Sequence, residues 1–222
     1  MIELRDIHRT FKMGDDLVHA LTGVSLKILR GDYVSIMGPS GSGKSTLLNL
    51  LGCLDRSDSG IYLFEGRDVS SLSDTELSSL RQNRIGFVFQ FFHLISRLTA
   101  AENIELPMIF AGIDRKKRRD RIMEGLNSVG LAHRAKHRPE QLSGGERQKI
   151  AIARAIAMRP SILLADEPTG NLDSKSGREI IDLLESMNQN GLTLVIVTHD
   201  SLIGSRATRK VKISDGKIVS IL

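Results

Sequence analysis

The sequence predicts an α/β domain wound around a phosphate-binding loop, with a helical insertion near its middle, and three observations carry that expectation. The first is Gly38-Pro-Ser-Gly-Ser-Gly-Lys44-Ser45-Thr46, set between the apolar run Tyr33 to Met37 and the helix-like run Leu47 to Leu51. This spelling, between a strand and a helix, fits the P-loop template. Its glycines let the backbone curl so that Gly38, Ser40, Gly41, Ser42 and Gly43 surround one concavity of N–H groups, and the following helix adds its positive end. Such a concavity binds phosphate. Lys44 can reach the β- and γ-phosphates of a nucleotide, and the Ser45 hydroxyl, beside Thr46, is placed to ligate Mg²⁺.

The second observation is the recurrence of short apolar strands, Ile85 to Phe89, Ser161 to Asp166 and Thr193 to His199, among helix-like stretches. The third is a change of texture between about 91 and 141, where helix signals replace β-branched runs. Thr99-Ala-Ala-Glu102 reads as a capping box and Pro107 is expected to kink or end the helix it starts. Asp114 caps a further segment with Ile122, Leu126 and Val129 on one face before Gly130. Within it, Arg115 to Arg121 holds six basic residues against one acid, which reads either as a solvated helix face or as a contact for anionic lipid or RNA.

Composition narrows the class. The chain has 222 residues, 41% of them hydrophobic, enough for a substantial core without staples. A single cysteine, Cys53, excludes an intrachain disulfide, and no apolar run behind an early basic flank resembles a secretory signal, so a cytosolic setting is expected. No stretch approaches the roughly 18 apolar residues of a membrane span, so a membrane role would be that of a peripheral partner. The net charge of +5 comes from dispersed lysines and arginines, and no nucleic-acid partner is expected from it.

In chain order, Ile2 to Leu4 and Val24 to Ile28 alternate as half-buried strands do. Between them lie Phe11 and Val18; an aromatic there either stacks on a purine across from the phosphate loop or is an ordinary core residue. Asp58-Ser59-Gly60 marks a turn before the strand Ile61 to Phe64, and Ser73-Asp-Thr-Glu76 is another capping box. Gln90 ends the Ile85 to Phe89 strand, where ligands of open α/β sheets gather, although glutamines there also simply face solvent. Leu142-Ser-Gly-Gly-Glu146 opens a helix running from Arg147 to Met158, with Ser143 as N-cap and Gly144 and Gly145 exposing N–H groups. That is a second anion site, for which one nucleotide gives no reason.

The strand Ser161 to Asp166 ends in the adjacent acids Asp166 and Glu167. A carboxylate there is costly unless it meets a cation, and two acids suggest two tasks: Asp166 for the Mg²⁺ water shell, Glu167 to orient or deprotonate water. The bland alternative is a strand that ends in solvated acids. Pro168 to Asp173 is a loop, Ile180, Leu183, Leu184 and Met187 form an apolar helix face closed by Gly191, and the strand beginning at Thr193 ends in His199. A neutral His199 imidazole could bond a γ-phosphate oxygen. Asp215-Gly216 is a hairpin turn between Lys210 to Ile213 and Lys217 to Ile221.

The ordered set Gly38 to Ser45, Gln90, Leu142 to Glu146, Ile162 to Glu167, Leu172-Asp173 and His199 resembles the ATP-binding subunit of ABC transporters from end to end. These stand where that family has its Walker A, Q-loop, signature, Walker B, D-loop and H-switch. The phrases Met37 to Thr46, Leu51-Gly-Cys-Leu-Asp55 and Asp166 to Asp173 look most like the lipoprotein-release and macrolide-efflux branch. The resemblance implies a single domain with a P-loop NTPase core and antiparallel β subdomain in about 1–90 and 142–222, and a helical subdomain in about 91–141. It implies ATP and Mg²⁺ as ligands, Glu167, His199, Gln90 and Lys44 as catalytic, Ser45, Gln90 and Asp166 about the metal, and Phe11, Val18 and Asp173 at the nucleotide. It also gives the second anion site a reason. Two copies would sandwich two ATPs, with Ser143 and Gly145 of one completing the site of the other. The remaining partner would be a membrane permease on whose inner, cytoplasmic face the chain sits. Three positions depart from the family pattern: Phe11 for a common tyrosine, Glu146 for a common glutamine, and Phe91-Phe92 where a polar residue is frequent. Phe91, Phe92, Leu94 and Ile95 either anchor the membrane partner or pack within the insertion. Against these readings stand a soluble ABC-type ATPase of DNA maintenance, which would carry a long coiled coil not seen here, a small-metabolite kinase, which has no use for Leu142 to Glu146, and a non-catalytic nucleotide sensor, which would be expected to lack Glu167 or His199.

Overall fold

Alternation within five parallel strands decides how the molecule is layered. The computed structural model describes residues 1–222, the side chain of Met13 excepted. Strands β1 (Ile2–Met13), β2 (Asp16–Ile28), β4 (Ser59–Phe64) and β5 (Arg67–Asp68) form an antiparallel sheet in the order β2-β1-β4-β5. Strands β3 (Tyr33–Met37), β6 (Ile85–Val88), β7 (Ile162–Asp166), β8 (Thr193–Val197), β9 (Arg209–Ser214) and β10 (Lys217–Ile221) form a second sheet in the order β10-β9-β3-β8-β7-β6. All its pairings are parallel except β9 with β10.

One parity of the parallel strands, Val34, Ile36, Ile162, Leu164, Val195, Val197, Val211 and Ile213, shares a core with helix α1 (Lys44–Leu51) and the antiparallel sheet. The other parity, including Leu163, Ala165, Leu194 and Ile196, meets Ile180, Ile181 and Leu184 of helix α6 (Ser174–Gln189). Covering on both faces is why these strands read as near-continuous apolar runs. Helix α2 (Asp74–Arg84) follows β5, and α7 (Ser201–Arg206) leads into β9.

The middle of the chain is helical, as expected. Helices α3 (Ala100–Phe110) and α4 (Arg115–Ser128) share a core with α5 (Gly144–Ile156) built on Ile104, Met108, Leu126, Ile150 and Ala153. The capping boxes at Ser73, Thr99 and Ser143 are all present, and Asp114 caps α4. Of the basic block on α4, Arg118 is spent on Glu105 at 2.8 Å, while Arg115, Lys116, Lys117 and Arg119 are exposed. Phe91 is two-thirds exposed, whereas Leu94 packs against the helical core.

Three expectations are corrected. Of the two outcomes expected at Pro107, a kink or an end, the helix end does not occur: α3 runs on to Phe110, and Ala111 N–H donates to Pro107 O at 3.1 Å. The proline costs about 3 kcal/mol, against which fully burying Met108 returns about 1.5–3 kcal/mol and the retained last turn contributes its own bonds. The turn placed at Asp58 to Gly60 is shorter, because β4 already begins at Ser59, which pairs with His8; Gly60, at φ 95, lies where an added Cβ would come 2.4 Å from Asp6 O. The strand read as ending in His199 stops at Val197: Thr198 N–H still bonds to Ile36 O of β3, but His199 N–H goes to the Glu167 carboxylate.

Asn103, fully buried in α3, is a polar residue whose role its sequence setting does not announce. Its amide donates to the carbonyls of Ile95, Leu98 and Thr99 and accepts from Ile95 N–H at 2.8 Å, which folds the segment ahead of α3. Asn103→Leu conserves volume but strands these groups, so urea denaturation is expected to show a loss of about 2–3 kcal/mol. A loss below about 0.5 kcal/mol would mean that water replaces the amide at no cost.

Candidate functional site

The phosphate loop is held by close approach to its neighbours. Gly41 and Gly43 have φ of 78 and 99, and Gly43 is the N-cap of α1. A Cβ on Gly43 would lie 2.4 Å from Ala20 O, and one on Gly38 would lie 2.1 Å from Ile213 O. Only glycine fits either place. The turn between β9 and β10 props the loop from beneath, with Gly216 N–H donating to Ser42 O at 3.1 Å. Lys44 Nζ donates to Gly38 O at 2.9 Å and Pro39 O at 2.7 Å, which arches its ammonium over the loop. Ser42 lies under the loop, buried, with its hydroxyl unpaired.

Beside the loop, β7 delivers its two acids. Burial pushes the Asp166 carboxyl up, the adjacent Glu167 pushes it further, and a hydrogen bond from Ser45 together with the charge of Lys44 opposes both. A carboxylate held in this state, with a hydroxyl already turned to it, fits a small hard cation. Among the described residues no cluster of three or more His, Cys, Asp or Glu could hold a metal, so a divalent ion at Asp166 and Ser45 would draw its other ligands from phosphate and water.

Glu167 sits at φ 45, in the left-handed region that a glutamate rarely enters. Its N–H donates to Val197 O at 2.9 Å, and its Oε1 accepts from His199 N–H at 3.0 Å and meets His199 Nδ1 at 2.7 Å. The strain is thus offset by bonds to the end of β8. The same geometry bears on how His199 could meet a phosphate. An ionised carboxylate only accepts, so Nδ1 carries its proton toward Glu167, and a neutral ring then shows a lone pair at Nε2; donating from Nε2 to a phosphate oxygen requires the imidazolium.

Opposite these groups the β1–β2 hairpin supplies an apolar wall. Phe11 and Val18 are paired across the hairpin and both line the cleft. The Arg9 guanidinium lies 4.6 Å from the Phe11 ring centroid, and Asp55 (3.0 and 2.8 Å) and Asp58 (2.7 Å) pin it there. The cleft holds about 690 Å³ between this wall, the loop residues Ser40, Gly41 and Gly43 to Thr46, and Asp166, Glu167 and His199. That volume suits a nucleotide.

Other expected residues lie elsewhere. Gln90 does not line the cleft; its amide turns to Asn171 Oδ1 at 3.5 Å. Ser143 caps α5, with Glu146 completing the box, and Gly144 and Gly145 stand beside Leu172 and Ser176 instead of the phosphate loop. The Ser143 N–H holds the Glu146 carboxyl below the usual range, with the Ser143 hydroxyl and Arg134 assisting. Asp173 spends its carboxylate on Lys175 N–H, Ser176 N–H and the Ser176 hydroxyl. Conversely, His19, Ala20, Val197, Asp215 and Gly216 line the cleft without having been expected there. The Asp215-Gly216 turn is visible in the sequence; that it reaches the phosphate loop depends on β9 lying beside β3.

The sequence profile described as "ABC transporter" matches residues 21–170, more than half of the chain. An uncharacterized ABC transporter ATP-binding protein of Thermotoga maritima is 52% identical over all of this chain and 94% of its own length. A macrolide export ATP-binding/permease protein of Salmonella choleraesuis is 49% identical over 99% of this chain, which covers 34% of that longer protein. Among solved structures, a dimeric ATP-binding cassette in a post-hydrolysis state bound to ADP and Pi matches with a TM-score of 0.91 at 45% identity, covering 100% of this chain and 98% of that one. A transporter family on this scale sets aside the DNA-maintenance reading, and the chain belongs to the ABC transporter family as an ATP-binding cassette.

Proposed function

We propose that this chain hydrolyses ATP as one of two copies that close around two nucleotides and drive a membrane permease of the export or mechanotransmission type. One observation carries the paired arrangement. The chain builds both a phosphate loop and a capped, glycine-exposed turn at Ser143 to Gly145, yet the two do not share a cleft. A second copy would supply the missing half, in keeping with the dimeric cassettes it resembles.

In this reading Phe11 and Val18 receive the base, the loop N–H groups and Lys44 hold the phosphates, and Ser45 and Asp166 would hold Mg²⁺. The metal's chemistry there is to neutralise charge on the phosphate oxygens. Glu167 accepts the proton of the attacking water, and His199, through its N–H and Nδ1, fixes the carboxylate's direction. Gln90 would join the site only by leaving Asn171. No helix among the described residues is long and apolar enough to cross a membrane, so attachment at the cytoplasmic face would run through the permease. We assign docking to the 91–141 segment, treated as a subdomain apart from 1–90 and 142–222, with exposed Phe91 and Ile95 as its apolar contacts. The macrolide-export relatives favour an efflux partner, with lipoprotein release the neighbouring possibility.

Lys44→Ala removes the charge over the β- and γ-phosphates, and phosphate release should fall by about 10²-fold or more. In the unaltered protein the rate per subunit is expected to climb with protein concentration; a flat rate across that range, in a species shown to be monomeric, rules out the shared site. Glu167→Gln keeps shape while removing the base, so turnover should drop about 10²–10⁴-fold. Size-exclusion chromatography with Mg²⁺ and ATP should then show a stable dimer, and hydrolysis at the unaltered rate would move the base to another residue.

A further inference from the structure

Residues 89–93 leave β6 as irregular backbone and turn so sharply that His93 sits at φ 49, its ring 4.9 Å from that of Phe89. Four carbonyls of this segment accept from side chains that belong to other elements. Gln148 Nε2 donates to Phe89 O at 3.2 Å, Asn171 Nδ2 to Gln90 O at 3.0 Å, and the Arg154 guanidinium to Phe92 O at 3.0 Å and His93 O at 2.5 Å. Gln148 and Arg154 both project from α5, the helix capped by Ser143.

Each is an expensive choice. Gln148 is fully buried, its Nε2 also donates to Pro168 O at 2.7 Å just after Glu167, and its Oε1 has no hydrogen-bond partner. Burial alone, with no acid opposing it, draws the Arg154 guanidinium down from its ordinary value. A desolvated cation resting on carbonyls and a half-satisfied buried amide are poor packing where an apolar side chain would serve. Their return is positional, because they reach both ends of the segment that contains Gln90.

We propose that Gln148 and Arg154 are positioning residues forming a two-point clamp, which fixes segment 89–93 to α5 so that Gln90 and the Ser143 to Gly145 turn move as one body. The clamp deepens the paired-site reading and rests on it for its effect on dimerisation. It would make nucleotide contact at Gln90 reorient the turn that a second copy's ATP must meet.

The test uses the full chain carrying Glu167→Gln, with Arg154→Lys and Gln148→Leu added separately. Arg154→Lys keeps the charge but gives up the two-pronged contact, and it covers the case in which Gln148→Leu fails to fold. Binding of a fluorescent ATP analogue to the monomer is expected to stay unchanged in both variants, while the melting temperature holds for Arg154→Lys and falls for Gln148→Leu, which leaves Phe89 O and Pro168 O without their donor. The ATP concentration for half-maximal dimer should rise about tenfold, within the usual size of coupling between sites. Hydrogen exchange should show ATP protecting 90–93 and 143–147 together in the parent, with only the first responding in the variants. A dimer midpoint equal to the parent's, or a midpoint and monomer affinity that shift together, overturns the clamp. If the parent stays monomeric with ATP, the paired-site reading fails, and the clamp stands or falls on whether the two segments respond together in exchange.

Discussion

The structure depends on a shortage of space around the phosphate loop. The Ala20 and Ile213 carbonyls approach Gly43 and Gly38 so closely that neither position can carry a side chain. This packing comes from two separate parts of the chain, the β1–β2 hairpin on one side and the β9–β10 turn on the other. A loop pressed between rigid walls keeps its N–H groups pointed at one place at little entropic cost when a ligand arrives. The parallel order β9-β3-β8-β7 then brings the strand ends carrying Lys212, Met37, Val197 and Asp166 side by side at that place.

Charge is distributed around the loop on the same principle. Burial raises the Asp166 carboxyl above its ordinary range, the adjacent Glu167 adds to the rise, and Ser45 and Lys44 provide the opposing pull. Glu167 takes a left-handed backbone that turns its largely buried carboxylate to the His199 N–H and ring at the end of β8. Neighbouring acids in sequence therefore occupy different surroundings, which is the usual route to different tasks.

Much of this was legible in the sequence where the cause is local. The capping boxes at Ser73 and Thr99 depend on residues three apart, and the P-loop on consecutive ones, so both can be read directly. The parallel strands were legible because burial on both faces writes apolar runs. The long hairpin was not: Lys12, Asp15 and Asp16 crowd its tip, and bulges between Leu4 and Thr10 interrupt the alternation that marks a strand. Nor were Asn103 and Gln148, since their partners are carbonyls of segments whose positions only the fold determines. Pro107 misled for the opposite reason: a sound local rule yielded to the packing of Met108. Family likeness identified Gln90, Ser143 and Asp173 as site residues, and their distance from the cleft reflects contacts within one chain that spacing alone does not reveal.

The pairing of β3 with β9 also ties the site to the order of protein synthesis. Residues 38–45 leave the ribosome well ahead of Ile213 and Gly216, which supply the carbonyl that leans on Gly38 and the amide that holds Ser42. A nascent chain short of that turn has β3 open along one edge and the loop unsupported on one side. The cradle is therefore complete only once the β9–β10 hairpin has emerged and β9 has paired with β3.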